Sequence, residues 1–477
     1  MGSRKVTSSE PLDWQGKHVT VAGLGVSGIP AAKVLHARGA NVTVVNDGDD
    51  ARAREQAAEL EALGITVRLG DGATLPEGTE LVVTAPGWKP DKPLFAAARE
   101  VGLEIWGDVE LAWRLRGPDA APWLAITGTN GKTTTTQMLA SILKAAGLRT
   151  AAVGNIGVSL LDAVLGDEQY DVLAVELSSY QLHWAPSLRA HSAAVLNLAP
   201  DHLDWHGSME AYAADKGRIY EGNRVACVYN VADKATEDLV READVEEGCR
   251  AVGFTLGTPG PSQLGVVEGI LVDRAFVEDR HKNAQELAEI SDVNPPAPHN
   301  IANALAAAAL ARAFGVPARA VRDGLRDFTP DAHRIAHVAD VDAVAYVDDS
   351  KATNTHAAQA SLAAYESIVW IAGGLAKGAT FDELVAKSAK RLRGVVLIGQ
   401  DRALIREALA RHAPEVPVVD LDRTDTGAML AAVQEASRLA VAGDTVLLAP
   451  ACASMDMFAN YNKRGDAFAE AVRELGS

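Results

Sequence analysis

From His18 onward, short Val-rich runs alternate with Ala/Leu-rich amphipathic stretches, and this alternation constrains the fold more than any other feature of the chain. The runs His18–Ala22, Asn41–Val45 and Leu81–Thr84 have the length and β-branched content of strands, while Ile29–Arg38 and Ala51–Leu63 between them have helical spacing. Strand, helix and strand in that order make βαβ units, which require a parallel sheet because the crossover helix carries the chain back to its starting edge. Arg116–Pro122, reading R-G-P-D-A-A-P, has turn composition and precedes a fresh apolar run, Trp123–Thr127, so a second domain is expected to begin there. That domain continues through a helix at Thr133–Ala146, strands at Val172–Glu176 and Ala193–Leu198, and a Gly/Pro-interrupted stretch from Gly257 to Pro298 read as loops and short strands. An Ala-rich helix, Asn300–Phe314, leads into Asp327–Ala332, after which the alternation restarts at Ala343–Val347, Ile368–Ala372, Val395–Ile398 and Thr445–Ala449.

A length of 477 residues agrees with three such segments, since domains typically run to about 100–200 residues. The formal charge of -18, from 63 acidic against 45 basic residues, opposes diffuse attraction to nucleic acid or to an anionic membrane and favours small-molecule partners. Cys227, Cys249 and Cys452 are odd in number and lack C-x-x-C spacing, which supports neither a disulfide framework nor a structural zinc site and fits a reducing cytosol. Met1–Glu10 carries two basic residues with no apolar core after them, and nowhere do about 18 uninterrupted apolar residues occur. A cytoplasmic chain without a membrane span is expected, with a monomer as the expected state.

Two Gly-rich turns carry the chemistry. Gly23–Gly28, G-L-G-V-S-G, sits between a strand and a helix, with Asp47 after the next strand, in the arrangement that lets backbone and helix N-terminus approach a diphosphate. Packing of helix on strand is the competing reading of the same glycines. Gly128–Thr133, G-T-N-G-K-T, lies between the strand Trp123–Thr127 and a helix and resembles a P-loop, whose backbone N–H groups cradle phosphates while the lysine meets β/γ oxygens and the threonine a Mg²⁺ ion. Ile126 stands where the common pattern has its first glycine, so this loop is a shortened variant. The expected fold class is therefore α/β in three domains: Rossmann-like over residues 1–119, a central P-loop-type ATPase over 120–330, and Rossmann-like again over 331–477.

Glu176, in V-E-L-S-S-Y-Q-L, follows a buried-looking strand and is a candidate carboxylate ligand for a metal beside the phosphates. D-H-L-D-W-H at Asp201–His206 follows the next strand in the same way, at the strand ends where open α/β sheets bind ligands. His202 and His206, at i and i+4, are open to a zinc reading or a Mg²⁺-shell reading, and the absence of an intervening H-E-x-x-H glutamate weakens the first.

With these in place, G-T-N-G-K-T-T, E-L-S-S-Y-Q-L, N-L-A-P-D-H-L-D-W-H, A-Y-A-A-D-K-G-R-I-Y, H-N-I-A-N-A-L, D-D-S-K-A-T-N and A-P-A-C-A-S-M-D-M-F-A-N-Y occur in the order found in the bacterial Mur ligases, which the chain resembles over all three segments. The last two motifs, with the N-terminal Gly-rich turn, resemble the branch that joins D-glutamate to UDP-N-acetylmuramoyl-L-alanine during peptidoglycan synthesis. The resemblance implies ATP as cofactor with two Mg²⁺ ions. It places Gly128, Thr129, Asn130, Gly131, Lys132, Thr133 and Thr134 around the ATP phosphates, Thr133 and Glu176 on one Mg²⁺, and His202 on the second. Lys216 matches the family lysine that CO₂ converts to a carbamate, a carboxylate-like metal ligand; read without the resemblance it would be a solvated helix lysine. Asn300, Asn303, Arg334 and Asp349 match nucleotide contacts. Thr353, Lys377, Ser454, Met455 and Tyr461 match positions around D-glutamate, with Lys351 near the reacting centre. Val26, Ser27, Asp47 or its neighbour Asn46, the Thr84–Gly87 loop and Asn155 match contacts to the UDP-sugar substrate. Leu375 stands where the family commonly has an acidic residue, which puts the local hydrogen bonding of G-G-L-A-K-G in question.

The implied chemistry is transfer of the γ-phosphoryl group to the alanyl carboxylate, then attack of the D-glutamate amine and loss of phosphate from a tetrahedral intermediate. Two rivals remain at this point. A nicotinamide-dependent dehydrogenase would account for Gly23–Gly28 but not for Lys132 or Glu176, and a nucleotide-regulated switch would account for the P-loop without a second substrate.

Overall fold

The computed structural model describes residues 13–423, 425 and 427–475; the reading of Met1–Glu10 lies outside them. The chain divides into two compact units, one running to Asp292 and taking in Ala302–Asp327, the other made of Val293–Ile301 and the chain from Phe328.

The first unit holds two sheets. Strands β1 (His18–Ala22), β2 (Asn41–Asn46), β3 (Thr66–Leu69), β4 (Leu81–Thr84) and β5 (Ile105–Gly107) form a sheet in the order β3-β2-β1-β4-β5. Every pairing in it is parallel. β1 takes the centre because four of its five residues, Val19–Ala22, are buried, as a strand covered on both faces must be. β3 and β5 were not legible in the sequence, being four and three residues long with mixed burial.

The second sheet comprises β6 (Trp123–Thr127), β7 (Ala152–Gly154), β8 (Leu173–Glu176), β9 (Ser192–Val195), β10 (Ala226–Asn230), β11 (Arg250–Phe254), β12 (Gln263–Val267), β13 (Ile270–Asp273) and β14 (Gln285–Glu289). Their order is β14-β13-β12-β11-β10-β9-β6-β8-β7. It is parallel from β7 to β12 and turns antiparallel at β12–β13 and β13–β14, so the Gly/Pro-interrupted stretch does contain short strands. β9 ends at Val195 rather than at Leu198, because the backbone beyond it turns to serve the neighbouring loop: Thr129 N–H donates to the Asn197 carbonyl at 3.0 Å. The helix Lys132–Ala145 leaves β6 and packs on the helix Ala318–Asp327. At their crossing a Cβ on Gly324 would stand 2.4 Å from the Ile142 Cα, and Ser141 Oγ donates to the Gly324 carbonyl at 2.7 Å. Gly324→Ala should therefore lower stability by about 1–2 kcal/mol, the cost of overpacking backbone less alanine's better helix propensity. Denaturant midpoints check it; an unchanged or raised midpoint would mean that the helices separate freely.

The second unit contains β15 (Ala336–Val341), β16 (Val344–Asp348), β17 (Ile368–Gly373), β18 (Leu392–Ile398), β19 (Val418–Asp420) and β20 (Thr445–Leu448). They lie in the order β15-β16-β20-β17-β18-β19, parallel except at the β15 edge. β17 and β20, buried throughout, are the apolar runs Ile368–Ala372 and Thr445–Ala449 of the sequence. Among the described residues no helix is long and apolar enough to cross a membrane.

Candidate functional site

The ends of β6, β8 and β9 lie side by side, since Ile126 pairs with Glu176 and Thr127 with Val195. Gly128–Gly131 leaves β6 at once, with no room for the longer turn of the common pattern because Ile126 is a fully buried strand residue. Gly131 caps the following helix in the left-handed region, at φ +83°, and a Cβ there would lie 2.4 Å from Asn303 Oδ1. Only glycine fits both demands. Asn197 secures the turn from β9: its Oδ1 accepts from Asn130 N–H at 2.9 Å and its Nδ2 donates to the Asn130 carbonyl at 3.1 Å. Thr129 Oγ1 lies 3.0 Å from the Tyr212 hydroxyl and accepts from Ala199 N–H at 3.0 Å. Asn197 and Tyr212 lay inside quoted motifs, yet nothing in their identity signalled this bracing role.

Two lysines converge on one carbonyl of the turn. Lys132 Nζ donates to the carbonyls of Gly128 (3.0 Å) and Thr129 (2.9 Å), and Lys216 Nζ donates to Gly128 O at 2.8 Å and Thr127 Oγ1 at 3.3 Å. Lys216 is 1% exposed. Burial, and then the charge of Lys132, push its ammonium well below the ordinary lysine range, while Asp201 and Glu176 act the other way. A lysine so placed is held toward its neutral, nucleophilic form. Glu176 is also 1% exposed; Asn155 Nδ2 donates to its Oε1 at 3.0 Å, and its Oε2 is buried without a hydrogen-bond partner.

His202 caps a short helix at φ +54° and lies 4.9 Å from Tyr180, centroid to centroid. Burial lowers its pKa first; Asp201 opposes that, and Lys132 and Lys216 add to it. A neutral imidazole is the metal-binding form. His206 has both ring nitrogens engaged, Nδ1 with Asp215 Oδ2 at 3.0 Å and Nε2 with Ser179 Oγ at 2.9 Å, which removes it from the zinc reading. Asp215 also meets His183 Nδ1 at 2.9 Å and Arg218 Nε at 3.2 Å, so the residue next to Lys216 is fixed from three sides.

A hard cation fits this donor set. The orphaned Glu176 Oε2, the Thr133 hydroxyl and His202 offer oxygen and nitrogen ligands, and Mg²⁺ takes one or two protein ligands and fills the rest of its shell with phosphate and water. Consistent with that, among the described residues no three His, Cys, Asp or Glu side chains form a cage of their own.

At the first sheet, Ser27 Oγ donates to Asp108 Oδ2 at 3.0 Å, and Val26 is 90% exposed at the tip of its turn. A Cβ on Gly28 would stand 1.9 Å from the Gly23 carbonyl, so close packing is one reason for these glycines. Asn46 Oδ1 accepts from Leu24 N–H at 3.1 Å, bracing the same turn, whereas Asp47 is ion-paired with Lys92.

In the second unit, Asp349 is buried and its pKa is pushed up to about 6 by burial; Ser361 donates to it, Ile335 N–H bonds it at 3.3 Å, and the Arg334 charge pulls the other way. Lys351 Nζ stands 3.9 Å over the Tyr461 ring, and Thr353 N–H donates to the Lys351 carbonyl at 2.8 Å. Leu375 and Ala453 exchange backbone hydrogen bonds of 2.9 Å in both directions, tying the Lys377 loop to the Ser454–Met455 loop. Because that tie is backbone, it does not depend on an acidic side chain at Leu375. Ser454 is buried and Met455 is 62% exposed. Sequence reasoning missed Arg464, which is 1% exposed and donates to Ser350 Oγ, the Ser350 carbonyl and the Cys452 carbonyl at 2.8–3.0 Å. Asn300 Nδ2 donates to the Pro295 carbonyl at 3.2 Å.

Comparison with known families and proteins bears on this arrangement. Residues 126–311 match the Mur ligase middle domain and 333–452 the Mur ligase glutamate ligase domain. Residues 18–84 match a pyridine nucleotide-disulphide oxidoreductase model, which reflects the βαβ turn of the first sheet. A UDP-N-acetylmuramoylalanine–D-glutamate ligase of Streptomyces avermitilis is 90% identical over 465 residues, covering 98% of this chain and 100% of its own. One from Thermobifida fusca is 59% identical, covering 97% and 100%. Among solved structures, MurC of Thermotoga maritima superposes with TM-score 0.54 at 20% identity over 96% of this chain and 99% of its own. MurF of Acinetobacter baumannii does so with 0.57 at 16% over 97% and 91%, and both speak for the three-domain α/β fold alone. A shortened P-loop braced by Asn197, a buried lysine against it, and relatives this similar over nearly their whole length identify the chain as a member of the Mur ligase family, in its UDP-N-acetylmuramoylalanine–D-glutamate ligase branch.

Proposed function

We propose that the chain joins D-glutamate to UDP-N-acetylmuramoyl-L-alanine at the expense of ATP, in the cytoplasmic part of peptidoglycan synthesis. The observation that carries the reading is the convergence of Lys132 and Lys216 on the Gly128 carbonyl, near the Glu176 carboxylate with its unpartnered Oε2. A carboxylate resists an amine because oxide is a poor leaving group, and phosphorylation supplies a better one. The Gly128–Thr134 turn holds the ATP phosphates on its N–H groups, and Lys132 offsets charge that builds on the transferring phosphoryl. Thr133, Glu176 and His202 would hold Mg²⁺, two ions in all, and bound metal would supply further charge neutralisation at the phosphates. Lys216 Nζ, kept toward its neutral form, is suited to add CO₂ and become a carbamate ligand. Asn300, Asn303, Arg334 and Asp349 contact the nucleotide, and Lys351, Thr353, Lys377, Ser454, Met455 and Tyr461 surround D-glutamate. Val26, Ser27, Asn155 and either Asn46 or Asp47 contact the UDP-sugar. The three domains divide at residues 119/120 and 330/331, and the enzyme works as a monomer.

The test is phosphate release from ATP and Mg²⁺ with UDP-N-acetylmuramoyl-L-alanine, comparing D-glutamate, L-glutamate and no amino acid. Release is expected only with D-glutamate and the precursor together. Release without either co-substrate would favour a nucleotide switch, and release with a different amine would overturn the substrate.

A further inference from the structure

At the foot of β6, the end away from the Gly128–Gly131 turn, a cavity of 490 Å³ opens beside the Arg116–Pro122 segment. Three arginines, Arg116, Arg189 and Arg224, line it together with His191, Trp113 and Trp123. Arg116 lies over the Trp113 ring at 3.2 Å and its Nε donates to the Trp113 carbonyl at 3.1 Å. Arg189 has Glu221 as its nearest carboxylate, 3.8 Å away. Among the described residues, neither Arg116 nor Arg224 forms an ion pair. The cations act on one another instead. Burial and then the Arg224 charge bring Arg116 down to about 10, and the same two causes bring His191 down to about 4. The indole N–H of Trp123, 1% exposed, is buried without an acceptor. In a chain of net charge -18, a group of three arginines with one carboxylate between them, on Arg189, runs against the whole molecule's balance.

We propose that this cavity is a second anion site, which takes the phosphate group of a small phosphorylated aromatic or heterocyclic molecule. Its volume lies within the range of about 300–1,000 Å³ typical of small-ligand clefts. Guanidinium forks match phosphate oxygens bidentately, and Arg116 and Arg224, the two without a carboxylate partner, together match the charge of a dianion. The tryptophans supply an apolar wall for the organic part. Arg116 belongs to the segment that joins the first sheet to the second, whereas Arg189 and Arg224 precede β9 and β10. A shared anion would thus fasten that segment to the base of the sheet whose opposite end carries the phosphate-binding turn. The active site also binds phosphates, so the test must separate the two.

Phenyl phosphate is titrated calorimetrically into the full chain in Mg²⁺-free buffer, with benzoate as the monoanionic comparison, in the wild type and in Lys132→Ala and Arg224→Glu. The expected result is saturable binding of phenyl phosphate, tighter than benzoate, that persists in Lys132→Ala and weakens at least about tenfold in Arg224→Glu. Arg224 is exposed, so its reversal should leave the fold intact, and the Trp123 indole N–H resonance, assigned with Trp123→Phe, should move during the wild-type titration. No binding, equal binding of benzoate, or binding that Lys132→Ala abolishes and Arg224→Glu leaves alone would overturn the proposal.

Discussion

Lys132→Ala is expected to lower turnover by about 10³-fold or more without unfolding the protein, because charge building on a transferring phosphoryl group is the quantity this enzyme class must stabilise. The stability cost is small by comparison. Lys132 gives up two hydrogen bonds to neutral carbonyls, each worth about 0.5–1.5 kcal/mol net, and alanine is a better helix former at the start of Lys132–Ala145. Phosphate release under saturating substrates, paired with a thermal melt, separates the effects. A variant that melts normally yet keeps activity within about tenfold would remove Lys132 from the chemistry.

Lys216→Ala should cost turnover by about 10²-fold or more, and short-chain carboxylates added to the assay should restore part of it by occupying the place of the carbamate. The variant's stability distinguishes this from a structural role. An ammonium whose folded pKa lies below its unfolded value carries a desolvation cost at neutral pH, since the unfolded state binds the proton more strongly; stability from this group therefore increases as pH rises from the folded pKa toward about 10.4. Removing the lysine relieves that cost, so Lys216→Met should melt no lower than the wild type at pH 7. A clear loss of stability, or no rescue by carboxylate with the fold intact, would count against the carbamate.

How far the sequence could be read depended on whether a function was local in the chain. The Gly128–Thr133 turn was legible because a strand, a tight turn and a helix start must be contiguous to cradle phosphate, and β1, β6 and β17 were legible because burial on both faces demands unbroken apolar runs. Lys216 was not. A-Y-A-A-D-K-G-R has no apolar stripe that would announce burial, and although Tyr212 lies one helical turn before the lysine, the Thr127 hydroxyl and Gly128 carbonyl that receive its Nζ come from elsewhere in the chain. Arg464 was missed for the same reason, its partners lying at Ser350 and Cys452. Short edge strands such as β7 carry too few residues to show a period.

The placement of β6 between β8 and β9 also has a consequence for synthesis and folding. Trp123 pairs with Leu173 and Leu124 with Ser192, so the strand that carries the phosphate-binding turn completes its ladder only with segments far down the chain. Non-local parallel pairings of this kind form slowly, after loop-closure entropy has been met. A nascent chain halted before Asn197 would have the whole Gly-Lys-Thr motif and neither the carbonyl that receives Thr129 N–H nor the amide that receives Asn130. Nucleotide affinity should therefore arise late and abruptly during folding, which keeps unfinished chains from sequestering ATP.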